Sequence, residues 1–135
     1  MDFYNHTRKL FANSEVTIAN MKVVLVGAGY TFAATETALT AITAAQVSGN
    51  GWTVGGIVIA SAVITVEGAN AKLDGTNISI TASGGDIGPA SALVVVDATS
   101  SKPLFHYQFP SAQTAGDGTP FNVTWNVAGI ATWAA

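Results

Sequence analysis

A mainly β fold, a single antiparallel β-sandwich of jelly-roll-like type, is what the sequence predicts for this 135-residue chain. Runs rich in Val, Ile, Thr and aromatic residues recur along most of it, and Gly, Pro, Asp and Asn punctuate them at intervals of roughly 8–12 residues. Several runs alternate apolar with polar, as a strand with one wet face does. Helical periodicity is confined to one or two short pieces. About eight short strands in one domain follow from this pattern, with a helix or arm over residues 1–20 and the sandwich over 21–135.

The segment from Phe3 to Ala12 sets Phe3, Leu10 and Phe11 on one face of a short helix, which Asn13 can end. With Tyr4 these residues form an apolar stripe. It either docks on its own domain or reaches a neighbouring subunit as an arm. Met21–Val26 reads as a strand that leaves the sheet through Gly27-Ala28-Gly29, and Thr35 to Ala45 as one weak helix with Leu39 and Ile42 inward. From Gly49 to Glu67 a glycine-studded stretch holding Trp52 feeds two β-branched runs, Ile57–Ala60 and Ala62–Val66. These read as the paired central strands of a buried sheet. Asp74-Gly75 signals a turn, after which Asn77 to Thr81 alternates with Ile78 and Ile80 on one face.

Gly84, Gly85, Gly88 and Pro89 read as a loop, and Leu93–Val96 as a strand apolar on both faces and covered on both. Asp97 to Lys102 turns the chain. Pro103 then opens a strand with Phe105, Tyr107 and Phe109 on one side, and Pro110 ends it. Beyond a turn at Ala115–Pro120, one face of the next strand carries Phe121, Val123, Trp125 and Val127, and Gly129–Trp133 completes the sheet.

Composition restricts the function. Charged residues are 10% of the chain, against about 25% in ordinary soluble domains. A surface made of Thr, Ser, Asn, Gly and Ala is weakly protected against association, which points to burial against further copies. A net charge of −3 offers no footprint for nucleic acid. The absence of cysteine excludes thiolate metal sites and fits synthesis in a reducing cytoplasm. No basic segment feeds a continuous apolar run, and the longest uncharged tract is broken by glycines, so the reading is a soluble chain with no membrane partner.

No catalytic constellation emerges. The MKVVLVGAG stretch imitates the start of a dinucleotide fold, but Phe32 occupies the third glycine position and no acidic residue closes a second strand about 20 residues on. No cofactor is expected. His6 and His106 lack ligand spacing with a second His or carboxylate, so no metal is expected either. Asp74, Asp86, Asp97 and Asp117 lie in turns, where such carboxylates cap backbone N–H groups. Asn77-Ile78-Ser79 and Asn122-Val123-Thr124 match the glycosylation pattern but read as strand residues. No Gly-x-Ser-x-Gly elbow is present. Trp52, Tyr107, Trp125 and Trp133 are of the type that lines carbohydrate sites or anchors interfaces, Trp125 falling on the core face and Trp133 being free for another chain.

The order of pieces resembles a group of small structural proteins encoded by tailed bacteriophages. The resemblance rests on the apolar N-terminal helix, the strand Met21-Lys22-Val23-Val24-Leu25-Val26, and the segment Val47-Ser48-Gly49-Asn50-Gly51-Trp52-Thr53-Val54-Gly55-Gly56. It continues through Lys102-Pro103-Leu104, Gly118-Thr119-Pro120-Phe121-Asn122-Val123-Thr124-Trp125-Asn126 and Gly129-Ile130. It implies a virion component of β-sandwich type without enzymatic activity, made in the bacterial host cytoplasm. A capsid decoration (cement) protein on the outer capsid surface is the first expectation, a homo-oligomer, trimeric by expectation, seated on the major capsid protein or other virion proteins. Phe3, Tyr4, Leu10, Phe11, Trp52 and Trp133 are its candidate interface residues. A neck, tail or head-fibre component mediating attachment is the second. A carbohydrate-binding module that stacks sugars on Trp52 or Trp133 is the third.

Overall fold

The computed structural model describes residues 1–134, and it is mainly β with antiparallel sheets. Eleven strands lie in these residues: β1 (Asp2–Phe3), β2 (Met21–Val26), β3 (Gln46–Val47), β4 (Ile57–Val58), β5 (Val63–Glu67), β6 (Asn70–Asp74), β7 (Ile78–Thr81), β8 (Ile87–Asp97), β9 (Lys102–Ala115), β10 (Pro120–Val123) and β11 (Ala131–Ala134). Two short helices accompany them, α1 (Thr7–Ala12) and α2 (Thr40–Ala45), with one 3-10 turn at Ile18–Asn20. The principal sheet has six strands in the order β1-β9-β8-β2-β3, with β4 also paired to β2. Two small sheets, β10-β7 and β11-β6-β5, supply a divided second layer.

The alternation of β2 and β8 dictates this arrangement. Met21, Val23 and Leu25 of β2 join Leu93 and Val95 of β8 and Phe105 of β9 in one core, closed by Leu73, Ile78, Phe121, Val123 and Ala131 from the small sheets. The other face of the same strands, Val24, Val26, Ala92, Val94 and Val96, forms a second core with Tyr4 and Ile42, packed by Tyr30, Phe32 and Leu39. The continuous apolar run Leu93–Val96 is therefore covered on both sides, as its composition requires. Phe32, which spoils the glycine fingerprint, is one of the side chains that cover the second face.

Several expectations are corrected. Ile57–Ala60 and Ala62–Val66 are not the central pair. Only Ile57–Val58 is strand, bonded to the start of β2, while Val63–Glu67 is the outer strand of a three-stranded sheet. Val63, Val66 and Val58 are exposed, because nothing lies beyond β5 in the described residues. The partner of β5 is Asn70–Asp74, reached through the tight turn at Gly68-Ala69. Asp74-Gly75 makes no hairpin. It carries the chain from one small sheet to the other, Asp74 Oδ1 accepting the Gly75 N–H at 2.9 Å. A side chain at Gly75 would lie 2.5 Å from Ile59 Cγ2.

Gly88 and Pro89 belong to β8, and β9 runs on through Pro110. Both residues are accommodated where the β8–β9 register shifts, between Ile87 and Ala90 and between Ala90 and Ala92. At the other end, β10 stops at Val123. Val127, expected to face the core, is 95% exposed in the turn between Asn126 and Gly129. The helix expected over Thr35 to Ala45 is reduced to α2, with Ile42 buried and Leu39 at its start.

Residues 1–20 are tied into this body. Asp2 and Phe3 pair with His106 and Phe105, the Tyr4 N–H donates to the Leu104 carbonyl at 3.3 Å, and Thr7 Oγ1 donates to the same oxygen at 2.7 Å. Phe3 is thus a strand residue rather than part of the helical stripe.

Gly56 is pressed against the backbone of β2. Its φ is +101°, and a Cβ there would stand 2.6 Å from the Val23 carbonyl oxygen and 2.9 Å from its carbon. Gly56→Ala is expected to cost about 2 kcal/mol or more, since both the backbone conformation and the contact oppose a side chain. Gly29→Ala, where the space is open, is the near-neutral control. Equal urea midpoints for the two variants would contradict this.

Candidate functional site

The six interface candidates divide by location. Tyr4, Leu10 and Trp52 are buried within the chain. Trp52 meets Phe121 edge to face, ring centroids 5.5 Å apart, in the main core. Phe3, Phe11 and Trp133 are partly buried and gather on Phe105, with Phe3–Phe105 at 5.0 Å and Phe11–Trp133 at 5.0 Å. The Arg8 guanidinium lies 5.2 Å above the Phe3 ring. Aromatic surface from α1, β1 and β11 is thereby used to fasten both ends of the chain to β9. None of the six is left as a free apolar anchor.

Polar groups concentrate beneath the second face. Tyr30 gives its hydroxyl proton to Glu36 Oε2 at 2.7 Å, so the Tyr4 hydroxyl, which also meets Tyr30, is the donor in that contact. Burial pushes Tyr4 up to about 12, the neighbouring carboxylates Glu36 and Asp2 adding to the shift against the Tyr30 hydrogen bond. Tyr30 is driven well above the usual range, first by burial, then by its bonds to Tyr4 and Glu36. His106 is buried, with its ring stacked on Phe32 at 4.8 Å and its Nδ1 3.2 Å from Asp2 Oδ2. His6 Nε2 donates to the Pro103 carbonyl at 2.7 Å. These groups fasten the N-terminal segment to β9.

The turn aspartates act as caps, as expected, but partly for one another's loops. Asp97 accepts from the Thr99 and Ser100 N–H groups of its own turn. Asp86 instead accepts from the Asp117 N–H at 3.0 Å, and Asp117 from the Gly84 N–H at 3.0 Å. Among the described residues no group of three or more His, Cys, Asp or Glu is placed to hold a metal ion. No helix among them is long and apolar enough to cross a membrane.

Two surfaces remain. One is the flank between Val54 and Val66, where Val54 is 69% and Val66 70% exposed, with Val58 and Val63 also open. The other is a groove of about 580 Å³ between the far half of β9, β10 and the 124–129 loop. Its floor is Leu93, Phe121 and Val123, and its walls carry Tyr107 and Trp125, ring centroids 6.3 Å apart and tilted by 55°. Trp125 is half-buried, not core. Its Nε1–H donates to the Thr76 carbonyl at 3.1 Å and its backbone N–H to Asn77 Oδ1 at 2.9 Å, which fixes the ring. Burial pushes the Tyr107 hydroxyl up to about 12.

Tyr107 and Trp125 stand out in the sequence as aromatics, but their meeting is a contact between β9 and the segment after β10 that neither local pattern signals. Comparison with protein-family models, curated proteins and solved structures finds no match.

Two outcomes follow for this part of the molecule. All three tyrosines are held protonated by the fold, so their stabilising effect is complete below the ordinary tyrosine value near 10 and declines as pH rises from there toward 12. Absorbance titration should show each tyrosine no more than about one-tenth ionised at about pH 11 while the fold holds; one tyrosine ionising freely near its ordinary value would refute this. Trp52→Ala should cost about 3–5 kcal/mol, and half-buried Trp125→Ala less than about 2 kcal/mol. Equal losses in urea unfolding would place both rings in the same environment.

Proposed function

We propose that the chain is a non-enzymatic structural subunit of a bacteriophage virion, a capsid decoration (cement) protein that stabilises the head. The observation that carries this reading is the Val54–Val66 segment, in which Val54, Val58, Val63 and Val66 are all exposed, on a chain with only 10% charged residues. β5 is an outer strand, and of its five residues only Glu67 is charged. Isolated proteins blunt such an edge with lysine, proline or a bulge. An unblunted one suits permanent contact with another chain.

The order of motifs shared with small phage structural proteins supports the same reading, and so does a body tied down from its first residues to β11. The partners would be further copies and the major capsid protein or another virion protein. The contact surface is then the open edge of β5, with Val54 and Val58, and not the N-terminal stripe and Trp52, whose surface is used internally.

Light scattering on the purified chain is expected to show an oligomer. Val63→Lys combined with Val66→Lys should weaken self-association or particle occupancy by about tenfold or more, equivalent to about 1.4 kcal/mol, while the melting temperature changes little. A wild-type chain that is monomeric and absent from labelled particles sinks the proposal. Label confined to the neck or tail would move the subunit off the head.

A further inference from the structure

The groove beside β10 has a chemistry that assembly does not use. Among the described residues no charged side chain lines it. Its walls combine two aromatic rings, Tyr107 and Trp125, with the amides of Gln113 and Asn126. Gln113 spends an Nε2–H on the Ser111 carbonyl at 2.9 Å, so its amide is oriented and its Oε1 makes no hydrogen bond to a described residue. Gln108 and Asn122 touch the groove from strand positions next to Tyr107 and Phe121, so their side chains lie on the other faces of β9 and β10. Trp125 is held by its two bonds to Thr76 and Asn77, so its ring is in place before anything binds.

A sugar ring matches this surface. It has a C–H face that lies against an aromatic ring and an edge of neighbouring hydroxyls that each donate and accept, which amides answer with both roles in one plane. A charged ligand would find no counter-ion here, and burying its charge without one is costly. The volume lies within the roughly 300–1,000 Å³ usual for ligand sites. An extended peptide would need a backbone ladder for its affinity, whereas the free polar atoms here are side-chain amides and hydroxyls.

We propose that this groove binds a neutral oligosaccharide, with Tyr107 and Trp125 as the stacking pair and Gln113 and Asn126 reading hydroxyls. The two tryptophans singled out for stacking from sequence do not serve, since Trp52 is buried and Trp133 packs on Phe11 and Phe105. The site is independent of where the chain resides and of its self-association.

The test titrates the full chain with maltohexaose, cellohexaose, chitohexaose and a mannan oligosaccharide, followed by calorimetry and amide spectra. Sialyllactose, an oligogalacturonate and a neutral peptide are the comparison ligands. At least one neutral sugar should bind with a Kd on the order of 0.1–1 mM and shift the Trp125 indole resonance. Trp125→Ala should weaken it by about tenfold or more, Trp125→Phe should retain most of the affinity, and Val66→Lys should leave it unchanged. If Trp125→Ala fails to fold, Tyr107→Ala and Gln113→Ala carry the same expectation. Failure of every neutral sugar, preference for the anionic sugars or the peptide, or wild-type affinity in the groove variants overturns the assignment.

Discussion

Strands β2 and β8 are apolar on both faces, and covering both of them is the constraint that the rest of the chain meets. Leu25 and Leu93 point to one core, Val26 and Ala92 to the other, and neither face can be left to water. At about 1.5–3 kcal/mol for each large apolar side chain removed from water, the alternating residues of these two strands outweigh any surface ion pair in the molecule. The first face is closed by sheets of familiar kind. The second has no sheet above it. Its cover is an irregular segment, Tyr30, Phe32, Leu39 and the single turn and a half of α2, clamped by Tyr4 from the opposite end of the chain.

That cover explains the placement of the polar groups. An irregular layer over an apolar sheet brings hydroxyls and imidazoles inside with it, and each then needs a partner. The relay from Tyr4 through Tyr30 to Glu36 ends on a carboxylate at the rim, so the buried hydroxyls are satisfied without a buried charge. His106 is placed between Phe32 and Asp2 in the same manner. Tyr4, Tyr30 and His106 are therefore placed by the problem of roofing a two-faced sheet.

What could be read in the sequence follows from the range of the interactions involved. Met21–Val26, Leu93–Val96 and Ile78–Thr81 declare themselves by local alternation or continuity, and their faces came out as read. The β-branched run ending at Val66 misled, because hydrophobicity records only that a residue can be buried, not that the chain supplies something to bury it. Asn70–Asp74 escaped for the converse reason: Asn, Lys and Asp have low strand propensity, and only pairing with β5 and β11 makes it a strand. Pro110 reads as a stop unless the neighbouring strand can shift register around it, which is a property of the pair. The aromatic stripe of the N-terminus was visible, but its destination on Phe105 and Trp133, more than ninety residues away, was not.

Strand order in the small sheet separates the two surfaces left open. β5 lies on one side of β6, and β11, which the 124–129 loop feeds, lies on the other. A neighbour added along β5 would extend that sheet away from the groove, leaving Tyr107 and Trp125 accessible. Had β9 ended at Pro110, as its proline suggests, the strand would have supplied neither Gln113 nor Thr114 to the wall, and the core residues Phe121 and Leu93 would have had open water beside them. The bulge re-aims the far half of β9 to flank β10 and converts that exposure into a lined concavity. Pro89 and Pro110, which donate nothing to a ladder, sit at the β8–β9 register shifts, so the concavity is framed where the sheet could not have run straight.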